Sequence, residues 1–337
     1  MNKKTILTQT IPEFMNDWNN YKKGLKNLKI TDWCISSDYC LDNSEKIDTA
    51  TFTIFPLNCM RSIYNEINSK LHNDIKNKKY FSDEELRFLK ESPYFFSISV
   101  IIDNLKNSFN EDLAKKQIFD AINFYKENPH IHLLHDAKYI YRQYNSLYSF
   151  LTQKGHSKKM LSYIFFVSKF VGQILEFLII KEYGRCPHWC SDRGHIADFQ
   201  KGIMFTLMNN YLYRLIRNRV KDYRVALPNE LLNSSGLYIY DPFIRIPDII
   251  TGAMSSLITT PNGLTAQRQK HRDIIAKSIV DNKKIITLAY TFNEKGQGFS
   301  ERAYFESIDK CPVLKYNKNI KEKLINKEIP VEFIYRA

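Results

Sequence analysis

The chain of 337 residues carries 49 Lys plus Arg against 36 Asp plus Glu, a formal net charge of +13, and that excess favours a polyanionic partner. With 44% hydrophobic, 14% aromatic and only 25% charged residues it has the material for a large core, which excludes a mainly disordered chain. Six cysteines over this length are too few for a disulfide scaffold, and the polar, basic opening 1–29 lacks a signal-peptide pattern, so a reducing cytoplasm is the expected compartment.

Residues 1–29 read as a basic N-terminal segment, 30–260 as the main domain and 261–337 as an accessory extension. Residues 30–37 (ITDWCISS) and 48–55 (DTATFTIF) form a β-hairpin pattern, the second strand stopping at Pro56. A helix over 60–79 follows from Ile63, Ile67 and Leu71, and another over 82–90 opens on a capping serine with an acidic first turn. Residues 94–102 (YFFSISVII) make a third strand, 111–126 a helix and 130–135 (HIHLLH) a fourth strand. Helices are expected over 139–151 and 158–183. Within the latter, 161–180 reach the length of a bilayer span. Lys169 and Glu176, seven residues apart, fall on similar faces and suit a buried helix with one paired or solvated edge instead.

Residues 187–191 form a short extended piece leading through Asp192, Arg193 and Gly194 into a helix over 196–219. Residues 223–227 and 236–240 are strand-like, Pro247 is read as the first position of a helix through Leu257, and 259–263 is a turn. Residues 283–290 and 301–307 are strands around the Gly296 and Gly298 loop. Alternating strands and helices give an α/β class.

Three groups of residues carry candidate chemistry. Asp38, Asp192 and Asp248 stand at a strand end, after a short strand and at a helix start, the dispersed carboxylates that divalent-metal nuclease chemistry draws from separate elements. As bare aspartates they are equally turn and cap residues. Cys186, His188 and Cys190 share a face if their segment is a strand, but no second cysteine pair follows, so packed thiols outrank a structural zinc. His195 is placed beside the carboxylates to protonate a leaving group. Arg214, Arg217, Arg219, Lys221 and Arg224, interleaved with tyrosines, form a candidate nucleic-acid grip; the alternative is a solvated helix face. The cluster Arg268, Lys270, His271 and Arg272 reads as ordinary surface.

The order of a strand ending in Asp38, a hairpin to TFTIF (51–55) and, much later, RIPDIITGAMSSL (245–257) resembles the RNase-H-like domains of the retroviral integrase superfamily. Those open with a strand ending Asp-Glu-Ser-Gly and close with a helix beginning Ala-Asp-Leu-Ala-Gly-Ala. Pro247 to Ala253 are similar to the closing element, whereas Ser36 to Cys40 keep the aspartate of the opening one without its Glu-Ser-Gly. The resemblance implies an RNase-H-like mixed sheet with helical insertions and a C-terminal β-containing extension. It also implies a nuclease acting on phosphodiesters, in phage defence or mobile-element biology, with Asp38, Asp192 and Asp248 holding Mg²⁺ or Mn²⁺. The missing glutamate leaves Asp42 or Glu45 as a substitute, or a site that binds nucleic acid without cleaving it. The rival is an interaction protein whose positive surface docks an acidic partner.

Overall fold

The computed structural model describes residues 5–11, 13–41, 43–71, 77–127, 137–153, 155, 157–192, 194–220, 223–227, 240–293, 298–308 and 311–315. The opening segment is part of the core. After α1 (Ile6–Thr10), α2 (Phe14–Gly24) sets Phe14, Trp18 and Tyr21 at helical spacing on one buried face. Trp18 packs on Trp33, Phe96 and Phe177 with ring centroids 5.0, 5.3 and 5.2 Å away. Among the described residues of 1–29, Lys23, Lys26 and Lys29 are exposed, outside that buried face.

β1 (Trp33–Cys40), β2 (Thr49–Pro56) and β3 (Phe96–Asp103) form an antiparallel meander. Between β2 and β3 lie α3 (Met60–Lys70) and α4 (Asp83–Glu91); Ser82 caps α4 by accepting from the Glu85 amide while the Glu85 carboxylate takes the Ser82 N–H. α5 (Glu111–Glu127), α6 (Ala137–Thr152) and α7 (Lys158–Lys181) carry the chain to β4 (His188–Ser191), which pairs parallel with β1. After a 3₁₀ turn, Gly202 at φ +79° breaks the expected helix over 196–219, so α8 spans Ile203–Ile216. The strand-like 223–227 makes one parallel bridge, Ala226 with His188.

α9 (Asp241–Ser255) starts six residues before the expected Pro247, with Pro242 in its first turn and Pro247 inside it. β5 (Leu257–Thr260) and β6 (Gly263–Ala266) form a tight hairpin whose turn, at Pro261 and Asn262, falls within the expected 259–263. Then follow α10 (Gln269–Ile274), β7 (Ile285–Phe292), β8 (Gly298–Ile308) and β9 (Cys311–Lys315). The sheet order is β4-β1-β2-β3-β7-β8-β9-β6-β5. Because β7 pairs parallel with β3 along Ser97 to Asp103, the segment after 260 completes the main sheet instead of standing apart as an accessory piece. The expected strand 130–135 and most of 236–240 lie outside the described residues.

The sheet buries both faces. Trp33 and Ile35 of β1 join a core with α2, α7 and α8, while Cys34 joins another with α3, α4 and α9. α7 is long and apolar enough to cross a membrane, yet 89% of its most apolar stretch is buried in the fold. Its two central charges meet α8 and the chain beyond it. The Lys169 ammonium lies 5.8 Å from the Tyr211 ring centre, and Glu176 accepts from Arg219 at 2.7 Å and from the Ile6 N–H at 3.0 Å. This is the paired edge expected from their spacing.

Candidate active site

β1 alternates its side chains, so Cys34, Ser36 and Asp38 point towards α9. Pro247 lacks the N–H that would bond the Phe243 carbonyl one turn back in α9. Ser36 Oγ donates to that carbonyl at 2.9 Å. One turn on, Thr251 Oγ1 donates to the Asp38 carbonyl at 3.3 Å. These two ties fix the register of α9 on β1 and set Asp248, between them on the helix, against Asp38.

Asp192 arrives by the neighbouring strand. In the parallel register Ser36 faces Cys190 and Ser37 faces Ser191, so Asp192 stands beside Asp38, and its N–H donates to the Ser37 carbonyl at 2.8 Å. On the other face, Trp189 Nε1 donates to Ser37 Oγ at 3.0 Å, Ser37 Oγ is 2.6 Å from Tyr39 OH, and Ser191 Oγ donates to Tyr39 OH at 3.2 Å. This network locks together the ends of the two strands that carry the acids.

Asp38 is 6% exposed. Burial, then the charges of Asp248 and Asp192, push its carboxyl well above the usual range; a Thr251 hydrogen bond works against them, and a hydrogen bond with Asp192 adds to the rise. Asp248 and Asp192 therefore stand within electrostatic reach of Asp38, near the carboxyl ends of β1 and β4, where open α/β sheets form their crevices. The three aspartates line a cleft of about 420 Å³ together with Gly252 and Ser255 of α9 and with Lys46, Arg268, Lys270 and His271. The acids come from β1, the end of β4 and α9, and the cationic wall from the turn after β1 and the start of α10.

The chemistry of the donors fits a hard divalent cation: three carboxylates from separate elements, one of them buried beside two like charges. Even so, among the described residues no three His, Cys, Asp or Glu side chains already stand in metal-ligand geometry.

Other sequence expectations land elsewhere. His195 sits exposed in the turn after β4 and is not among the residues lining the cleft. Glu45 is exposed and outside the cleft lining, and Asp42 lies outside the described residues. His188 Nδ1 is 2.9 Å from Tyr240 OH and Cys190 Sγ is 3.8 Å from Cys34 Sγ, and among the described residues no group of three His, Cys, Asp or Glu side chains is placed to hold a metal ion. All six cysteines are free thiols.

α8 packs in the layer opposite α9. Arg214 and Arg217 are exposed there, Arg219 is committed to Glu176, and Lys221 lies outside the described residues. Arg224 is exposed with its N–H on the Arg185 carbonyl, at the end of β4 far from Asp192. Sequence reasoning missed the cations that do reach the cleft. Lys46 was unremarkable in a turn, and Arg268, Lys270 and His271 gain meaning only because the β5–β6 hairpin returns the chain to α9. No protein-family model, curated protein or solved structure matches this chain.

Proposed function

We propose that this protein has an RNase-H-like core and acts as a divalent-metal-dependent nuclease on nucleic-acid phosphodiesters, with Asp38, Asp192 and Asp248 as the metal-holding residues. The observation that carries the reading is the convergence of these three carboxylates from β1, the end of β4 and the middle of α9. A mixed sheet with an acid on its first strand, one after a parallel strand and one on a later helix supports the resemblance drawn from the sequence. A Mg²⁺ or Mn²⁺ ion there supplies charge neutralisation and a more acidic water for attack on phosphorus. The chain's own part is to hold three hard oxygen donors at a fixed place, through the Ser36 and Thr251 ties, and to keep the Asp38 carboxyl out of bulk water.

A second reading, nucleic-acid binding without cleavage, is favoured by the departure from Glu-Ser-Gly after Asp38. Both readings are separated by incubating labelled DNA and RNA with Mg²⁺, Mn²⁺ or EDTA, using wild type and folded Asp38→Ala, Asp192→Ala and Asp248→Ala. Metal-dependent cleavage lost in all three variants supports the nuclease. Salt-sensitive binding with no cleavage by wild type supports the second reading, and absence of both removes each of them.

A further inference from the structure

The cationic wall of the cleft is built as deliberately as the acidic one. Lys46 belongs to the turn after β1, whose Ile47 N–H donates to the Ser255 carbonyl at 3.1 Å. Arg268 follows Gln267, whose N–H donates to the Ser256 carbonyl at 3.2 Å. Two segments distant in sequence are therefore pinned to adjacent residues at the C-terminal end of α9, and both bring cations to one cleft. Lys270 Nζ donates to the Lys78 carbonyl at 2.9 Å, which holds its ammonium at the wall.

Electrostatics sharpen the picture. Burial, then Arg268, pushes the Lys270 pKa down, Asp248 opposes this, and Lys46 adds to the fall. The same three cations, after burial, push His271 down to about 4, so its imidazole is neutral near pH 7 and its buried Nδ1 has no hydrogen-bond partner among the described residues. The mutual effects place these groups within electrostatic reach of one another and of Asp248. With the three aspartates of the same cleft committed to a divalent ion, the charge of these cations would be balanced by an anion from outside. A phosphate chain passing an acid-held divalent ion presents such an anion on either side of the reacting bond.

We propose that Lys46, Arg268 and Lys270 are the positioning surface for the phosphate backbone of a polynucleotide, which runs along this wall and not over the arginines of α8. This rests on the nuclease reading for its substrate class, but it is separable from cleavage. Each cation is expected to neutralise a backbone phosphate and so to contribute to the salt dependence of binding.

The test is fluorescence anisotropy of the full chain with labelled single-stranded DNA and RNA 20-mers in EDTA, titrated across salt, with Mg²⁺-dependent cleavage measured in parallel. The Lys46→Gln/Arg268→Gln/Lys270→Gln variant is expected to weaken binding about tenfold or more and to flatten the log–log salt slope by roughly two. Arg268→Glu alone, at an exposed position that disturbs no packing, is expected to weaken binding in the same direction. Arg214→Gln/Arg217→Gln is expected to bind as wild type does. The proposal is overturned if the wall variants bind like wild type, if the α8 variant carries the loss, or if wild type binds neither oligonucleotide. Wall-dependent binding without cleavage keeps the surface and removes the nuclease reading. Cleavage whose KM ignores the wall variants does the reverse.

Discussion

The bond from Ser36 to the Phe243 carbonyl answers a vacancy created by Pro247, and this makes a quantitative prediction. Phe243 is 1% exposed, so its carbonyl has little access to water if the serine is removed. Leaving a buried acceptor unsatisfied costs about 1–3 kcal/mol, so Ser36→Ala is expected to lose about 2 kcal/mol. In a Pro247→Ala background the helix regains an N–H for the same carbonyl, and Ser36→Ala should then cost only about 0.5 kcal/mol, the residual worth of a second donor. The coupling is about 1.5 kcal/mol, well above the roughly 0.5 kcal/mol scatter of independent sites. Urea unfolding of wild type, both single variants and the double variant measures it. Equal costs of Ser36→Ala in the two backgrounds would refute the idea that the serine substitutes for the missing amide.

Two helical glycines should respond oppositely. At Gly172 a Cβ would stand 2.6 Å from Tyr211 Cδ1, so Gly172→Ala is expected to destabilise by about 1–3 kcal/mol through the α7–α8 contact. At Gly252 a Cβ meets nothing within 4 Å, so Gly252→Ala should gain about 0.5–1 kcal/mol, whereas Gly252→Leu should fold normally and obstruct the cleft; thermal melts and oligonucleotide binding test these. Burial lowers the Lys169 pKa to about 7. Between there and its ordinary value the unfolded chain holds more protons, so this lysine's penalty is fullest below about pH 7 and fades as pH rises towards 10. Lys169→Met should therefore stabilise by a few kcal/mol at pH 6 and clearly less at pH 9.5; an equal gain at both would contradict the burial argument. In EDTA, Asp38→Asn removes a carboxyl whose ionisation is opposed by burial and by the charges of Asp248 and Asp192, and is expected to stabilise the fold by about 1–3 kcal/mol, a gain that millimolar Mn²⁺ should narrow by stabilising wild type alone. A denaturation midpoint lowered by the substitution in EDTA would count against that account.

Much of the frame was legible because β1, β2 and β3 combine β-branched and aromatic runs with turn residues at their ends, and α7 advertises its burial by an apolar run broken only at one edge. The three acids were legible as strand-end and helix residues. Their convergence was not: it depends on Cys190 lying level with Ser36 in a parallel pair, which no local pattern specifies. Pro247 misled for a physical reason, since proline favours a first helical turn, and only a distant serine makes it tolerable mid-helix. The helix expected across Gly202 had an apolar period that continues through a positive-φ break. Local composition made the α8 arginines conspicuous and the cleft cations plain, because proximity in sequence says nothing about which layer a helix joins.

The pairing of β3 with β7 also has a temporal side. A chain emerging from the ribosome completes β1, β2 and β3 long before Ile285–Phe292 exists, and meanwhile the Phe96–Asp103 edge, rich in isoleucine and valine, has no neighbour. Exposed apolar edges invite pairing with other chains, and contacts this distant along the chain fold slowly. Synthesis of this protein thus passes through an interval in which its central sheet is open on one side, and shortening that interval, or shielding the edge during it, should govern how much of the product stays soluble.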